Sequence, residues 1–382
     1  MYQKNTNPKR FALLAWAMLS VFSLLNACKK DEHLKITVAK APQISGTKGV
    51  YVLCEGLWGM RNSTISYYDF ETGSSEPDMY RKVNQRDLGE TANDLQVYGS
   101  KMYAVVSGTQ GAAESFLDVI DVATCKSLKR IPFNAKNDGY MPRYISFYKN
   151  KAYVSRYDGV ISRIDTTSLE IDAELPLLNG EKPAGGLEQM AVANGKLYVS
   201  NSSHPYYPDG LKTKVSVIDL VRFKKIGDIE VGNNPVRIAA AANGDLYVMT
   251  WNDYIVFNDP TLVRIDSKSD QVVQTEKYDL GAMAISGDIG YATHDVYSQP
   301  GIAVLNTATG KLGDEAIHDG TTITTLYGLS INPFDKSFVV ADAMGYNGTS
   351  GKAFVFDKNG QEIVHFTTGG LPQHAVFRYQ YQ

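Results

Sequence analysis

A two-part unit occurs seven times in this 382-residue chain, and that periodicity restricts the fold more than any other feature. Its clearest copy is NGKLYVS at 194–200, followed after a loop by KVSVIDL at 214–220. Asn194-Gly195 supplies the positive backbone angles of a tight turn, and Leu197, Tyr198 and Val199 are strand formers, so the first part reads as turn then strand. The second part is a partner strand that ends at an acid. The aromatic position recurs as Tyr51, Tyr103, Tyr153, Tyr198, Tyr247, Tyr291 and Phe338, 44 to 52 residues apart. The acidic position recurs as Asp69, Asp121, Asp165, Asp219, Asp266, Asn306 and Asp357. A repeat of that length with four short strands is a propeller blade.

The other two strands of each unit are also visible. SLKRIPF at 127–133 and KKIGDIEV at 224–231 follow the acid as outer strands, while PRYISF at 142–147, LEQMAV at 187–192 and VRIAAA at 236–241 precede the turn as inner strands. No inner strand stands before Tyr51, and the seventh is QHAVFR at 373–378. The expectation is an all-β chain: a seven-bladed β-propeller of four-stranded antiparallel blades over 49–382. One blade is built from both chain ends, so the C-terminal strand closes the ring and leaves no open sheet edge.

Ahead of the repeats, Lys4, Lys9 and Arg10 precede an apolar run over 11–25, and Leu25-Asn26-Ala27-Cys28 has the form of a signal-peptide end. The run is short for a bilayer span. Its resemblance to bacterial lipoprotein signals implies a signal peptide over 1–27, cleavage before Cys28, and lipidation of that cysteine. Residues 28–48 then form a tether. The charged run Lys29, Lys30, Asp31 and Glu32 reads as solvated chain; it also resembles the surface-export signals of Bacteroidota lipoproteins, which points to the outer face of the outer membrane.

Cleavage there leaves 355 residues with 35 Lys plus Arg against 41 Asp plus Glu, a formal charge of −6. That balance argues against nucleic acid as the main partner. No second apolar segment follows, so the lipid would be the only membrane attachment. Cys54 and Cys125 fall at strand ends on opposite faces of the predicted ring, about 17 Å apart for a five-residue strand. A disulfide needs Cα atoms within about 7 Å, so both are expected as free thiols.

Loops joining second to third strands, together with those leading into inner strands, share one face of a propeller, called the upper face below. The opposite turns are short and ordinary (NGK, NGD, YKNK), whereas the upper loops are long and carry Trp58 and Arg61, Tyr157, His204 with Tyr206 and Tyr207, Trp251 with Tyr254, His294 with Tyr297, and Tyr346. At the predicted channel mouth stand Asn93 and Asp94, Arg143 and Tyr144, Glu188 and Gln189, Arg237, Tyr327, and Gln373 with His374. Any one aromatic can be a packing plug between blades, but plugs should occur equally on both faces. A surface rich in Trp, Tyr, Asn and Ser suits recognition of a large amphipathic ligand or a partner. Arg143 and Arg237 can receive a phosphate or carboxylate, or else pair with Asp94 and Glu188 to line the pore.

No GxSxG, HExxH or Walker loop is present. His204, His294 and His374 lie on three separate upper loops, and the sequence does not place them within ligand distance of each other, so no metal or cofactor is expected. Three readings stand: a ligand-capture protein, an adhesion or interaction propeller for glycan or protein, and a propeller lyase or lactonase.

The LYV strand, the VIDL strand and Asn234-Pro235 before an inner strand resemble the YVTN-repeat, YncE-like seven-bladed propellers over nearly all of 49–378. With the lipobox, the charged tether and GVYVLCEG near the mature start, the chain resembles the surface propeller lipoproteins of Bacteroidota, among them the BtuG-type proteins. That resemblance implies capture of cobalamin and other corrinoids as ligand, and hand-over to a TonB-dependent outer-membrane transporter.

Overall fold

The computed structural model describes residues 42–108, 114–133, 142–203, 209–253, 259–295 and 300–382. Among these, seven four-stranded antiparallel sheets form an all-β propeller. Blade 1 joins Ile44–Cys54, Thr64–Asp69 and Ser74–Glu76 to the C-terminal strand Pro372–Tyr381, which supplies its inner strand. The register sets Tyr51 opposite Val376 and Val50 opposite Phe377, so the ring closes by pairing the two chain ends, as expected. Pairing begins at Ile44, ahead of the first recognisable repeat residue, because shifts at Ile44/Gly46 and Thr47/Gly49 let this stretch follow Tyr379 to Tyr381. Blades 2 to 7 follow in chain order, with inner strands beginning at Thr91, Pro142, Leu187, Pro235, Leu280 and Leu326.

The core lies between neighbouring sheets. Tyr103, Val105 and Val119 of blade 2 pack on Ile145, Val154 and Ile164 of blade 3; Tyr198 and Val217 of blade 4 pack likewise on Ile238, Val248 and Val263 of blade 5. A strand covered on both faces reads as an unbroken apolar run, which is why LYV-type segments recur. The outer strand Ile171–Pro176 has one face in solvent and alternates half-buried with exposed residues.

The repeated acid organises the lower turns. Asp165 Oδ1 accepts the N–H groups of Thr167 and Ser168 at 2.9 and 2.8 Å, and Asp219 Oδ1 does the same for Val221 and Arg222. This is an Asx turn. Four residues after the acid the backbone turns left-handed, at Gly73 (φ 66°), Cys125 (φ 60°) and Leu169 (φ 58°) among others. The repeated tyrosine ties blades together: Tyr51, Tyr198 and Tyr247 donate to the carbonyls of Val122, Ser267 and Thr307 on the next blade. In each case the acceptor immediately follows that blade's Asp or Asn.

Cys54 and Cys125 are buried free thiols. A short helix, Met79–Asn84, connects blades 1 and 2 without a repeat to announce it. Asp78 caps it by accepting the Arg81 N–H at 3.0 Å, and the buried Tyr80 donates to Asp118 at 2.6 Å. No helix among the described residues is long and apolar enough to cross a membrane.

Candidate functional site

Every blade carries one extra residue at the upper end of its inner strand. The register skips between Ala92 and Asp94, Pro142 and Ile145, Leu187 and Met190, Pro235 and Arg237, Leu280 and Met283, and Leu326 and Gly328. In blade 1 the skip lies opposite Leu53 and Cys54, between Pro372 and His374. A bulge re-aims the side chains around it. Here it turns Asn93, Arg143, Glu188, Val236, Tyr327 and Gln373 towards the channel mouth, where with Gly281 they line a single cavity of about 700 Å³.

Side chains satisfy the backbone groups displaced by the bulges. Asp94 Oδ2 accepts the Ile145 N–H at 2.9 Å and Gln189 Oε1 accepts the Ile238 N–H at 3.1 Å, each from the preceding blade. Within blades 3 and 6, Ser155 and Thr293 accept the N–H groups of Tyr144 and Ala282. The rim is therefore a hydrogen-bonded framework, and the cavity is built into it.

Arg143 is a framework residue. Its Nε lies 3.3 Å from Glu188 Oε2, its terminal nitrogen donates to Asn93 Oδ1, and its guanidinium sits 4.7 Å from the Tyr157 ring centre. Glu188 also accepts from Tyr157 at 2.7 Å and Ser202 at 3.2 Å. Burial opposes the Arg143 charge, but Tyr157, Glu188 and Glu55 together raise its pKa above the ordinary value. Burial and Glu188 push the Tyr157 phenol up, so it remains a donor.

Arg237 is held differently. Its guanidinium carbon is 4.9 Å from the centre of the Tyr144 ring on blade 3 and 5.5 Å from that of Trp251 on its own blade. Blade 4 lies between blades 3 and 5, so Arg237 and Tyr144 meet within the channel. Each such cation–ring contact is worth about 0.5–2 kcal/mol. Trp251 is fixed by its Nε1–H, which donates to the Leu280 carbonyl at 2.9 Å. Burial first, and then the like charge of Arg143, lower the Arg237 pKa to about 10.

On the far wall Tyr327 donates to Glu55 Oε2 at 2.5 Å and meets Tyr346 edge-on at 6.3 Å. Burial and Glu55 raise the Tyr327 pKa. Beside the cavity wall, His374 Nδ1 lies 3.7 Å from Asp94 Oδ1 and its ring meets Tyr144 at 6.3 Å. Burial is the main cause of its lowered pKa.

Of the residues expected at the site, Arg143, Arg237, Trp251 and Tyr346 line the cavity, while Tyr157 and His374 support it from outside the lining. Trp58 is 64% exposed in its loop, outside the lining, and the neighbouring Arg61 pairs with Glu114 at 2.7 Å. His294 is drawn to the outer strand of blade 6, with Glu315 at 2.6 Å and Asp295 at 2.8 Å. These carboxylates outweigh burial and raise its pKa. Cys28, His204, Tyr206, Tyr207, Tyr254 and Tyr297 lie outside the described residues. Among the described residues no group of three or more His, Cys, Asp or Glu is placed to hold a metal ion. Glu55, Asn252 and Asp279 also line the cavity and were not anticipated. Glu55 follows the upper end of the second strand of blade 1 directly, and that position was its one available signal.

The fold is shared with distant structures. A candidate 6-phosphogluconolactonase from Bacteroides uniformis superposes with a TM-score of 0.60 at 14% identity, covering 87% of this chain and 100% of the other. The computationally designed Ika8 protein gives 0.52 at 13% identity, over 86% and 90% of the two chains. Kuenenia stuttgartiensis hydrazine synthase gives 0.51 at 16%, over 68% and 74%. At such identities the likeness concerns architecture alone. No curated protein matches the sequence. Residues 48–371 match the profile described as a domain of unknown function, DUF5074, and the chain belongs to that family.

Proposed function

We propose that this propeller is a surface-exposed, lipid-anchored capture protein. It binds a broad amphipathic small molecule in the upper cavity and passes it to a TonB-dependent outer-membrane transporter, with cobalamin and related corrinoids as the ligand class. The observation that carries the binding reading is the bulge-built cavity itself. Its volume of about 700 Å³ is in the range of small-molecule sites, and it combines aromatic walls with a few convergent polar groups.

A corrin is flat, fringed with amides and carries one phosphate. Tyr144, Trp251, Tyr327 and Tyr346 offer ring surface, and Gln373, whose Nε2 donates to the Ala92 carbonyl, offers its amide oxygen to such a molecule. A corrinoid exceeds the cavity and would rest partly on the rim loops, where Trp58 and Met60 are exposed. Loss of about 300 Å² of apolar surface would contribute roughly 7 kcal/mol before the cost of lost ligand freedom. Lipidation at Cys28 and the outer-face location follow from the resemblance of the N-terminal segment to lipoprotein signals.

Calorimetric titration of the purified chain with cyanocobalamin tests the proposal. Saturable tight binding without turnover supports it. Absence of heat at micromolar protein, together with binding of a glycan or protein, would assign the chain to adhesion. Turnover of a lactone would assign it to catalysis.

A further inference from the structure

We propose that Arg237 is an anion subsite, and that the ligand of the cavity presents an oxyanion, carboxylate or phosphate, to its guanidinium. This rests on the ligand-binding reading above and specifies the chemistry of the bound molecule.

The ground is a contrast between two arginines in one cavity. Arg143 is matched by Glu188, Asn93 and the Tyr157 ring. Among the described residues the direct neighbours of the Arg237 guanidinium are rings, those of Tyr144 and Trp251, while Glu55 and Asp94 act on it only from beyond ion-pair distance. Among the described residues no carboxylate lies within ion-pair distance of Arg237 and no acceptor takes its N–H groups. Aromatic faces stabilise a cation but do not serve the five donors of a guanidinium, which are directed at carboxylate or phosphate oxygens when fully matched. Burial and the charge of Arg143 already act against the Arg237 charge, and an incoming anion relieves both.

The carboxylates of the cavity do not occupy this place. Glu188 is committed to Arg143, Tyr157 and Ser202; Glu55 accepts the Tyr327 hydroxyl; Asp279 is exposed at the rim. Among the described residues the cavity thus offers one cation without a carboxylate at ion-pair distance, with acidic acceptors around it. That arrangement fits a ligand with a single oxyanion and several N–H donors, and disfavours a polyanion, which Glu55 and Asp279 would repel.

Titration of the full chain with inorganic phosphate and, separately, with acetate tests the subsite, with tryptophan emission as readout because Trp251 flanks Arg237. The expected result is a saturable change for at least one anion, with the better of the two identifying the group. Affinity should fall at least about tenfold in Arg237→Gln, while Arg237→Lys retains more. It should stay unchanged in Arg222→Gln, whose exposed guanidinium pairs with Asp219. Thermal melting of each variant checks that it is folded. No saturable response in the wild type, or equal affinity in a folded Arg237→Gln, overturns the subsite. A protein that ignores cyanocobalamin but binds phosphate through Arg237 loses the corrinoid reading and keeps the subsite. One that binds cyanocobalamin equally well as Arg237→Gln does the reverse.

Discussion

The Tyr51 hydroxyl donates to the Val122 carbonyl at 2.9 Å, joining blade 1 to the lower turn of blade 2. Tyr103, the same position one blade on, is also buried, but its hydroxyl has no partner among the described residues. Tyr51→Phe is therefore expected to cost about 1 kcal/mol, whereas Tyr103→Phe is expected to be neutral or stabilising. Urea midpoints of the two variants, at unchanged slope, check this. Equal losses would mean that the hydroxyl bond is not what the repeat preserves.

Arg143 and Arg237 should respond unequally when their charge is removed. Arg143→Met leaves the buried Glu188 without its cation and should destabilise by about 3–5 kcal/mol, with much of the loss recovered on adding Glu188→Gln. Arg237→Met removes a charge whose pKa is lowered to about 10. A base with a depressed folded pKa costs stability at all pH values below that pKa, and the cost fades only as pH rises towards the ordinary value. Arg237→Met relieves the burial of that charge at the loss of its two ring contacts and, among the described residues, leaves no carboxylate without its cation, so it should destabilise far less than Arg143→Met. Chemical denaturation at pH 7 checks this order, and equal losses would show that the pairing of Arg143 with Glu188 is not what separates the two.

His374 is kept neutral mainly by burial, reinforced by Arg237 and opposed by Asp94. Its folded pKa lies below the ordinary 6.5, so the unfolded chain takes up the proton first as pH falls. Stability should be present above about pH 6.5 and decline below it. His374→Gln should flatten that part of the stability profile relative to wild type. A variant with an unchanged slope between pH 7 and pH 5 would show that other groups govern it.

The two tryptophans of the propeller should contribute unequally to cyanocobalamin binding. Trp251 is part of the cavity wall and touches Arg237, while Trp58 stands on an outer loop. Trp251→Ala is expected to weaken binding by about tenfold or more, and Trp58→Ala by less. Calorimetry on the two variants decides, and the reverse order would put the ligand on the loops instead of in the cavity.

Much of the architecture was legible because each repeat residue has a local task. Asp165 and Asp219 make their turns through their own side chains, and Tyr51, Tyr198 and Tyr247 bond the turn of the next blade. Such short-range demands leave periodic marks. Ring closure was legible for the same reason: six inner strands precede their turns and a seventh segment remains at the end. The helix at Met79–Asn84 left no such mark, being a single insertion of six residues that depends on Asp118 and a cap at Asp78.

The site was only partly legible. The channel-mouth positions Arg143, Glu188, Tyr327 and Gln373 follow from strand counting, since the start of each inner strand must face the axis. The bulges that project them have no sequence signature here, because the inserted residue varies from Asn93 to Val236 to Tyr327. Nor could the sequence distinguish Arg143 from Arg237. Both stand near the start of an inner strand, and only the positions of Glu188 and Trp251 separate a guanidinium paired with a carboxylate from one set between rings. His294 looked equivalent to His374 in the sequence; Glu315, from a strand paired two steps outward, draws it away.

The first strand has one further implication, through its direction. It begins at Ile44 beside Tyr381, on the side of the Asx turns, and runs up to Cys54, next to the cavity residue Glu55. The pairing that closes the ring thus also anchors the cavity floor plan: directly beyond Cys54 the Glu55 N–H donates to the Leu371 carbonyl at 2.8 Å, so that opening the seam between the chain ends would release a wall of the cavity with it.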